Sequence, residues 1–391
     1  MRAIELFAGA GGLAIGSALA GFKHEAVVEW NRDACTTIRA NQAMGVPIVK
    51  DWPLFEGDVR EFDYSQFKRS IDLVAGGPPC QPFSMGGKHR GHQDERDMFP
   101  EAARAVRELQ PRAFIVENVK GLLRQSFASY FNYIILRLTY PELSVKRDES
   151  WEQHLSRLEG HHTGKYRLEG LSYQVVYRLV NAANHGVPQK RERVVIVGFR
   201  NDQFDGWSFP EATHTEDRLL WDMWITGEYW DRHEVAKRRR SETSDSVERR
   251  VERLRVDGRP KGKAWRTVRD AISDLPDPTK KDWSHLHPNH IFNPGAKVYP
   301  GHTGSPLDGP AKTLKAGGHG VPGGENMLAS HEGAVRYFTV RESARLQTFP
   351  DEYLFSGSWG EAMRQLGNAV PVALAKKVAS SVKGHLELKV R

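Results

Sequence analysis

The segment IELFAGAGG, spanning Ile4–Gly12, places a short apolar run directly before a cluster of glycines. An apolar run of this kind is typical of a buried strand, and Gly9, Gly11 and Gly12 let the backbone pass close to a ligand. The helix expected next would point its amino terminus, which favours negative groups, at the same place. The segment predicts the first strand–loop–helix unit of an α/β domain, with a ligand site at the loop.

The first 200 residues continue this alternation of strands and helices. The runs predicted as strands are Ile4–Phe7, Ala26–Glu29, Ile71–Ala75, Phe114–Glu117, Tyr173–Val180 and Arg193–Phe199, and the helical stretches include Asn31–Asn41 and Met98–Leu109. The alternation predicts the α/β class, with a doubly wound, mainly parallel sheet covered on both faces. Ligands of such sheets bind beyond the carboxyl ends of the strands, so reactive residues should follow strands.

The composition changes near residue 200, which indicates more than one domain. Glu228–Asp270 carries 14 Lys or Arg against 9 Asp or Glu, and residues 293–326 hold nine glycines and five prolines. A helical pattern returns after residue 336 and includes an amphipathic stretch over Ala369–Val382. We predict a catalytic domain formed by residues 1–200 and 365–391, a smaller irregular domain over 201–335, and a linking segment over 336–364.

Composition excludes several classes of protein. Hydrophobic residues make up 39% and charged residues 27% of the chain, as in soluble globular proteins. The sequence shows neither an apolar run long enough for a membrane span nor a secretory signal, so we expect a cytoplasmic protein without a membrane partner. Two cysteines, Cys35 and Cys80, are too few for a disulfide scaffold or a cysteine-rich zinc site. Lys plus Arg exceeds Asp plus Glu by 56 to 49, which favours a polyanionic partner.

Two carboxylates following strands indicate an adenosine cofactor. Glu29 ends the second strand, where it can accept hydrogen bonds from a ribose, and Asp58 follows a third strand, where it can meet an adenine amino group. Gly9, Gly11 and Ala14 also match the dinucleotide fingerprint. On these features alone, nicotinamide or flavin chemistry and an S-adenosylmethionine site are equal alternatives.

Three further segments carry reactive groups. The loop GGPPCQPFS, Gly76–Ser84, favours a reactive Cys80 because prolines stiffen it beyond a strand end, whereas Cys35 lies in a predicted helix and is interpreted as a core residue. Glu117 ends the fifth strand, where a carboxylate is either a helix amino-terminal partner or a catalytic acid with a raised pKa. Alternation along QKRER would send Gln189, Arg191 and Arg193 to one face.

With these segments the sequence resembles the DNA (cytosine-5) methyltransferases of bacterial and phage restriction–modification systems. The resemblance covers residues 1–200 and 336–391 in the family's motif order. Its motifs are FAGAGG at Phe7–Gly12, EW at Glu29–Trp30, GPPCQPFS at Gly77–Ser84, ENV at Glu117–Val119, QKRER at Gln189–Arg193, TVRESARLQ at Thr339–Gln347 and QLGNAVP at Gln365–Pro371. The resemblance implies an S-adenosylmethionine-dependent catalytic domain and a target-recognition domain over 201–335 that together close on double-stranded DNA.

The resemblance also implies roles for individual residues. The Cys80 thiolate would add to C6 of a flipped-out cytosine, Glu117 would hold or protonate N3, and Arg193 would contact the base and support Cys80. The implied catalytic set is Cys80, Gln81, Glu117, Arg191 and Arg193. The implied cofactor contacts are Phe7, Ala8, Gly9, Gly11, Gly12, Glu29, Trp30, Asp58, Val59, Pro79, Met98, Asn368, Ala369 and Val370. The implied DNA contacts are Ser84, Lys88, Arg90, Gln189 and Thr313.

Two alternatives remain open at the level of sequence: a relative that methylates tRNA by the same chemistry, and a non-catalytic DNA-binding protein on this scaffold. The long recognition segment favours duplex DNA, and the intact catalytic set favours an enzyme. The basic run over 237–255 is interpreted as a solvated helix face rather than a phosphate track. No metal site is predicted, because the histidines after residue 284 lack tight metal-ligand spacing. We expect a monomer, with any cognate restriction endonuclease acting independently.

Overall fold

A seven-stranded sheet forms the centre of the protein. The structure is a computed structural model, and it describes residues 1–67, 71–79, 97–164, 170–240, 243–298, 303–316, 325–329 and 334–388. The strands of the sheet are β1 (Arg2–Leu6), β2 (Lys23–Glu29), β3 (Leu54–Glu56), β4 (Leu73–Gly76), β5 (Ala113–Val119), β6 (Tyr173–Asn181) and β7 (Glu192–Arg200). Their spatial order is β3-β2-β1-β4-β5-β7-β6. The first five strands in this order pair in parallel, and β7 pairs antiparallel with both β5 and β6. All six predicted strands are therefore present.

Helices cover both faces of this sheet. In the amino-terminal half they are α1 (Gly12–Leu19), α2 (Arg32–Ala43), α3 (Phe99–Leu109), α4 (Ala128–Thr139) and α5 (Trp151–His162). Phe99 of α3 and Phe131 of α4 belong to one core with Phe114 of β5, while Leu13 of α1 belongs to another with Ile115. Neighbouring residues of β5 are thus buried on opposite faces, which explains its continuous apolar sequence. The predicted doubly wound α/β fold is confirmed.

The segment over residues 201–335 is built from short elements. They are β8 (His214–Thr215), α6 (Glu216–Trp224), α7 (Glu228–Arg232), α8 (Asp245–Asp257), β9 (Lys263–Ala264), α9 (Val268–Ile272), β10 (Ser305–Pro306) and β11 (Met327–Ala329), followed by β12 (Val335–Tyr337). It contains two small apolar clusters, one around Trp230, which also includes Ala183 from outside the segment, and one around Leu254. Helix α8 buries Val251 and Leu254 and exposes most of its charged residues, as the solvated-face interpretation expects. The domain boundaries themselves stay a prediction.

The carboxyl-terminal part of the chain returns to the central sheet and forms α10 (Val340–Leu346), α11 (Trp359–Asn368) and α12 (Val372–Leu388). The helix predicted over Ala369–Val382 begins later, because a residue that precedes proline disfavours the helical conformation and Val370 precedes Pro371. Residues 369–371 therefore form a non-helical link between α11 and α12. Among the helices in the described ranges, none is long and apolar enough to cross a membrane.

Candidate active site

The loop after β1 holds its backbone in the left-handed region. Phe7, Gly9 and Gly11 have φ angles of 54°, 55° and 89°. A bulky residue such as Phe7 rarely adopts this conformation, and strain of this kind concentrates at ligand sites. The Gly9 backbone N–H donates to Glu29 Oε2 at 2.7 Å, which ties the loop to the end of β2. The loop therefore presents a fixed backbone surface at the carboxyl edge of the sheet.

Glu29 and Trp30 lie side by side at the end of β2 but in opposite environments. Glu29 is 6% exposed, and its Oε1 accepts the Asn31 backbone N–H at 2.7 Å. Burial raises the pKa of Glu29, and the backbone hydrogen bonds oppose that rise. Trp30 is 74% exposed, so it is not a core residue. Its ring is available to stack on a flat ligand such as adenine.

Asp58 follows β3 on the same edge of the sheet. The Arg60 Nε donates to both of its carboxylate oxygens, at 3.0 and 2.9 Å. These hydrogen bonds lower the pKa of Asp58 below the usual carboxyl range. The side chain is therefore an ionised acceptor, which suits an amino group on a ligand.

The segments that flank α11 pack against the glycine loop. The Tyr353 hydroxyl donates to the Ala10 carbonyl at 2.8 Å. A Cβ atom on Gly12 would lie only 2.4 Å from the Val370 carbonyl oxygen, so this position requires glycine. Asn368, Ala369 and Val370 consequently line the same cleft as the loop after β1.

Glu117 and Arg193 form the wall of this cleft at its other end. Glu117 lies near the carboxyl end of β5, and its Oε1 forms an ion pair with Arg193 Nε at 2.7 Å across the β5–β7 pair. Burial raises the pKa of Glu117, while the charges of Arg193 and Arg191 oppose the rise. A buried carboxyl group with a raised pKa can carry a proton towards neutral pH and donate it to a ring nitrogen.

The start of the GPPCQPFS loop is held against the same strand. Asn118 Nδ2 donates to the Pro78 carbonyl at 3.1 Å. A Cβ atom on Gly77 would lie 3.2 Å from Glu117 Oε2, so glycine allows the loop to run close to this carboxylate. Pro79, the residue before Cys80, lines the cleft. The other predicted residues of this loop lie outside the described residues: Cys80, Gln81, Ser84, Lys88 and Arg90.

Cys35, the other of the two cysteines, is a core residue as predicted. It is fully buried in α2, and its Sγ donates to the Glu29 carbonyl at 3.4 Å. Burial raises the pKa of the Cys35 thiol to about 12, so it stays protonated and unreactive at neutral pH.

The three alternating residues of QKRER have different roles. Arg191 is fully buried and donates to three carbonyl oxygens, those of Leu314 at 3.0 Å, Gly367 at 2.7 Å and Ala369 at 2.9 Å. Gln189, also fully buried, accepts the Leu314 backbone N–H at 2.9 Å. Of these three residues, only Arg193 reaches the cleft.

These placements correct two predictions. Gln189, predicted as a DNA contact, has a buried side chain whose amide oxygen accepts the Leu314 backbone N–H. Arg191, placed in the catalytic set, lies outside the cleft and joins the segment around Leu314 to the end of α11. Both are positioning residues. The predicted alternation holds, because Gln189, Arg191 and Arg193 are buried while Lys190 and Glu192 are exposed. Gln189 and Arg191 precede β7, where the chain bridges to Ala311 outside the main sheet, so their side chains meet the Leu314 segment instead of the cleft.

Thr313 stands between this segment and the cleft. Its hydroxyl donates to the Lys190 carbonyl at 2.6 Å, and the residue lines the cleft. Its location is compatible with the predicted DNA contact, which stays a prediction.

A single cleft of about 2110 Å³ joins the glycine loop to the Glu117–Arg193 pair. The predicted residues that line it are Phe7, Ala8, Gly9, Gly12, Glu29, Trp30, Asp58, Val59, Pro79, Met98, Glu117, Arg193, Thr313, Asn368, Ala369 and Val370. Gly11 lies beside Trp52 instead. The cleft also contains six cations that sequence reasoning missed: Arg60, Lys120, Arg124, Lys190, Lys315 and Arg364. Lys120, Lys190 and Arg364 lie in or directly beside a motif already recognised, so a search for charges flanking those motifs would have found these three.

Comparison with protein families identifies the family of the chain. The model of C-5 cytosine-specific DNA methylases matches residues 1–145 and 159–384. The chain belongs to this family. It is a DNA (cytosine-5) methyltransferase of the restriction–modification type, and the resemblance seen in its motifs is confirmed.

Individual relatives agree along nearly the whole chain. The type II methyltransferase M.Eco47II of Escherichia coli is 33% identical over 97% of this chain and 78% of its own length. M.PspPI of a Psychrobacter strain is 32% identical over the same shares. Among solved structures, the Dnmt2 methyltransferase of S. pombe superposes with a TM-score of 0.55 at 16% identity, covering 98% of both chains. EhMeth of Entamoeba histolytica gives 0.56 at 12% identity, covering 100% of this chain and 99% of its own. At these identities the structures show a shared fold.

Proposed function

We propose that this methyltransferase modifies C5 of a flipped-out cytosine within a specific sequence of double-stranded DNA, with Cys80 as nucleophile and S-adenosylmethionine as methyl donor. The observation that carries the proposal is the buried Glu117–Arg193 pair, which shares one cleft with an exposed tryptophan and a strained glycine loop. A proton donor and a cofactor surface in one cavity are what transfer to a ring carbon requires.

The residues at the glycine-loop end suit S-adenosylmethionine better than a dinucleotide. Glu29 and Asp58 offer carboxylates for the ribose hydroxyls and the adenine amino group, and Trp30 offers a ring face. A pyrophosphate would need the amino terminus of α1, but the Val370 carbonyl oxygen already lies against Gly12 there. A carbonyl oxygen at that point repels phosphate. When bound, S-adenosylmethionine supplies an electrophilic methyl group.

The chain's own groups would act in sequence. The Cys80 thiolate forms a bond to C6, and the ring electrons displaced by this addition make C5 nucleophilic. Glu117 donates a proton to N3 or holds one there, which limits negative charge in the ring. Arg193 keeps Glu117 in place through their 2.7 Å ion pair. After C5 has gained the methyl group, loss of the C5 proton expels the thiolate and restores the aromatic ring.

The geometry before Cys80 supports its role. Asn118 holds the Pro78 carbonyl, and Pro79, the last described residue before Cys80, lines the same cleft as Glu117. Prolines at 78 and 79 restrict the backbone there. Addition to C6 must come from above the ring plane, which is inaccessible in a stacked duplex, so the base has to leave the stack.

The test is base-resolved 5-methylcytosine sequencing of DNA from cells that express the chain, beside cells that express Cys80→Ala. We expect methylation at one short motif with the wild type and none with the variant. Methylation that persists in Cys80→Ala would overturn the covalent mechanism. An unmethylated genome with a methylated tRNA pool would transfer the activity to RNA.

A further inference from the structure

Three lysines line the cleft around the Glu117–Arg193 pair, and each comes from a different segment. Lys120 directly follows β5, Lys190 precedes β7, and Lys315 follows Thr313. The Thr313–Lys190 hydrogen bond fixes the last two segments to each other. The lysines are therefore distributed around the place where the target base would enter.

Each of these lysines is bound to a glutamate. The pairs are Lys120–Glu192 at 2.8 Å, Lys190–Glu216 at 3.1 Å and Lys315–Glu325 at 2.6 Å. The first pair follows from strand register: β5 and β7 set Val119 opposite Arg193, so the next positions bring Lys120 and Glu192 together. In the DNA-free protein each of the three lysine charges therefore has a carboxylate beside it, and Glu216 is shared with Arg250 at 2.7 Å.

The lysine ends of the pairs are open to exchange. The lysine side chains are 59%, 49% and 46% exposed, whereas Glu192, Glu216 and Glu325 are 44%, 33% and 15% exposed, so the Lys315–Glu325 pair is the least open of the three. Ion pairs between solvent-exposed groups contribute little stability, because water and salt screen them and holding long side chains in place costs entropy. A DNA phosphate can therefore take the place of a carboxylate without a large energetic loss.

We propose that Glu192, Glu216 and Glu325 are built-in counterions that DNA phosphates displace from the cleft lysines. They lower the affinity of Lys120, Lys190 and Lys315 for the phosphates of any duplex, so that contacts to the recognised bases decide which DNA stays bound. They also recapture the lysines when methylated DNA leaves. The proposal rests on the proposed function, because it takes duplex DNA as the ligand.

The test measures binding to a fluorescein-labelled duplex of random sequence by fluorescence anisotropy. Glu192→Gln, Glu216→Gln and Glu325→Gln should each bind about two- to five-fold more tightly than wild type, the range expected for an exposed ion pair. The matched control is Glu387→Gln on α12, which loses an equal charge from a Lys383–Glu387 pair at 3.6 Å that does not line the cleft. Gains no larger than in this control would overturn the proposal.

A double-mutant cycle on the first pair separates displacement from simple repulsion. If Glu192 acts by occupying Lys120, the gain from Glu192→Gln should shrink when Lys120 is already glutamine. An unchanged gain would mean that Glu192 only repels phosphate, which would also overturn the proposal. Melting temperatures of the variants establish that each one is folded.

Failure of the proposed function gives a different result. If the wild type neither binds nor methylates any duplex, DNA is not the substrate and the proposed function fails with it. If the wild type binds and methylates DNA but the glutamine variants match Glu387→Gln, only the counterion role fails.

Discussion

Replacing Arg191 by methionine should weaken the packing behind the active site without removing a group from the cleft. Arg191 is fully buried and donates to the carbonyl oxygens of Leu314, Gly367 and Ala369. Methionine has a similar length but no donor. The segment around Leu314 and the end of α11 would lose their common partner.

The size of the effect follows from which carbonyls keep another donor. Ala369 O also receives a long hydrogen bond from Gln347 Nε2 at 3.5 Å, whereas the Leu314 and Gly367 carbonyls lose the donor that Arg191 provides. A buried carbonyl without a partner costs about 1–3 kcal/mol, which gives roughly 2–6 kcal/mol for two. Removing a buried charge offsets part of this, so we expect a net loss of about 3 kcal/mol in the free energy of unfolding.

Thermal unfolding measures this directly. At about 1–2 °C for each kcal/mol in a chain of this size, the melting temperature should fall by roughly 3–6 °C. The matched variant is Arg193→Met, which removes the Glu117 partner from the cleft wall. Arg193→Met should lose most activity but show a smaller fall in melting temperature than Arg191→Met. The fall is smaller because Glu117, once unpaired, can take up a proton and so avoid a buried negative charge. If Arg191→Met melts like the wild type but loses activity as Arg193→Met does, Arg191 acts in the chemistry and its structural assignment is wrong.

Three further predictions concern the cleft. Burial raises the pKa of Glu117 above its ordinary 4.5, so the carboxyl group keeps its proton to higher pH, and activity should fall as pH rises through the raised pKa. Glu117→Gln should remove this decrease from the pH profile and slow turnover by about 10²–10⁴-fold. Trp30→Ala should weaken S-adenosylhomocysteine binding by about 5- to 100-fold in calorimetry, as loss of a stacked base contact does, while the melting temperature stays unchanged because the ring is 74% exposed. Gly12→Ala would bring a Cβ atom within 2.4 Å of Val370 O, so it should lower the free energy of unfolding in urea by about 1–3 kcal/mol. Gly384→Ala, which has open space at its Cβ, is the control and should not destabilise the protein. Equal stability of the two variants would refute the close-packing argument.

Sequence alone was sufficient where a local pattern carries the physics. The alternation of apolar runs with helical stretches predicted the sheet, because strands buried on both faces must be apolar throughout. The glycine loop, Glu29 and Glu117 were predicted as site residues because the loop follows a strand and each glutamate ends one, and parallel strands bring their carboxyl ends to one edge. The motif order predicted the family, which the family comparison confirms.

Only the tertiary structure could separate Arg191 from Arg193. The partners of Arg191 stand 123 to 178 residues further along the chain, and no local pattern specifies which carbonyls fold onto it. Likewise, Lys120 and Glu192 are separated by 72 residues and meet only because β5 and β7 pair in one particular register. Local sequence determines which residues can form a strand, a loop or a charge. Long-range packing decides which of those charges faces the cleft and which is buried behind it.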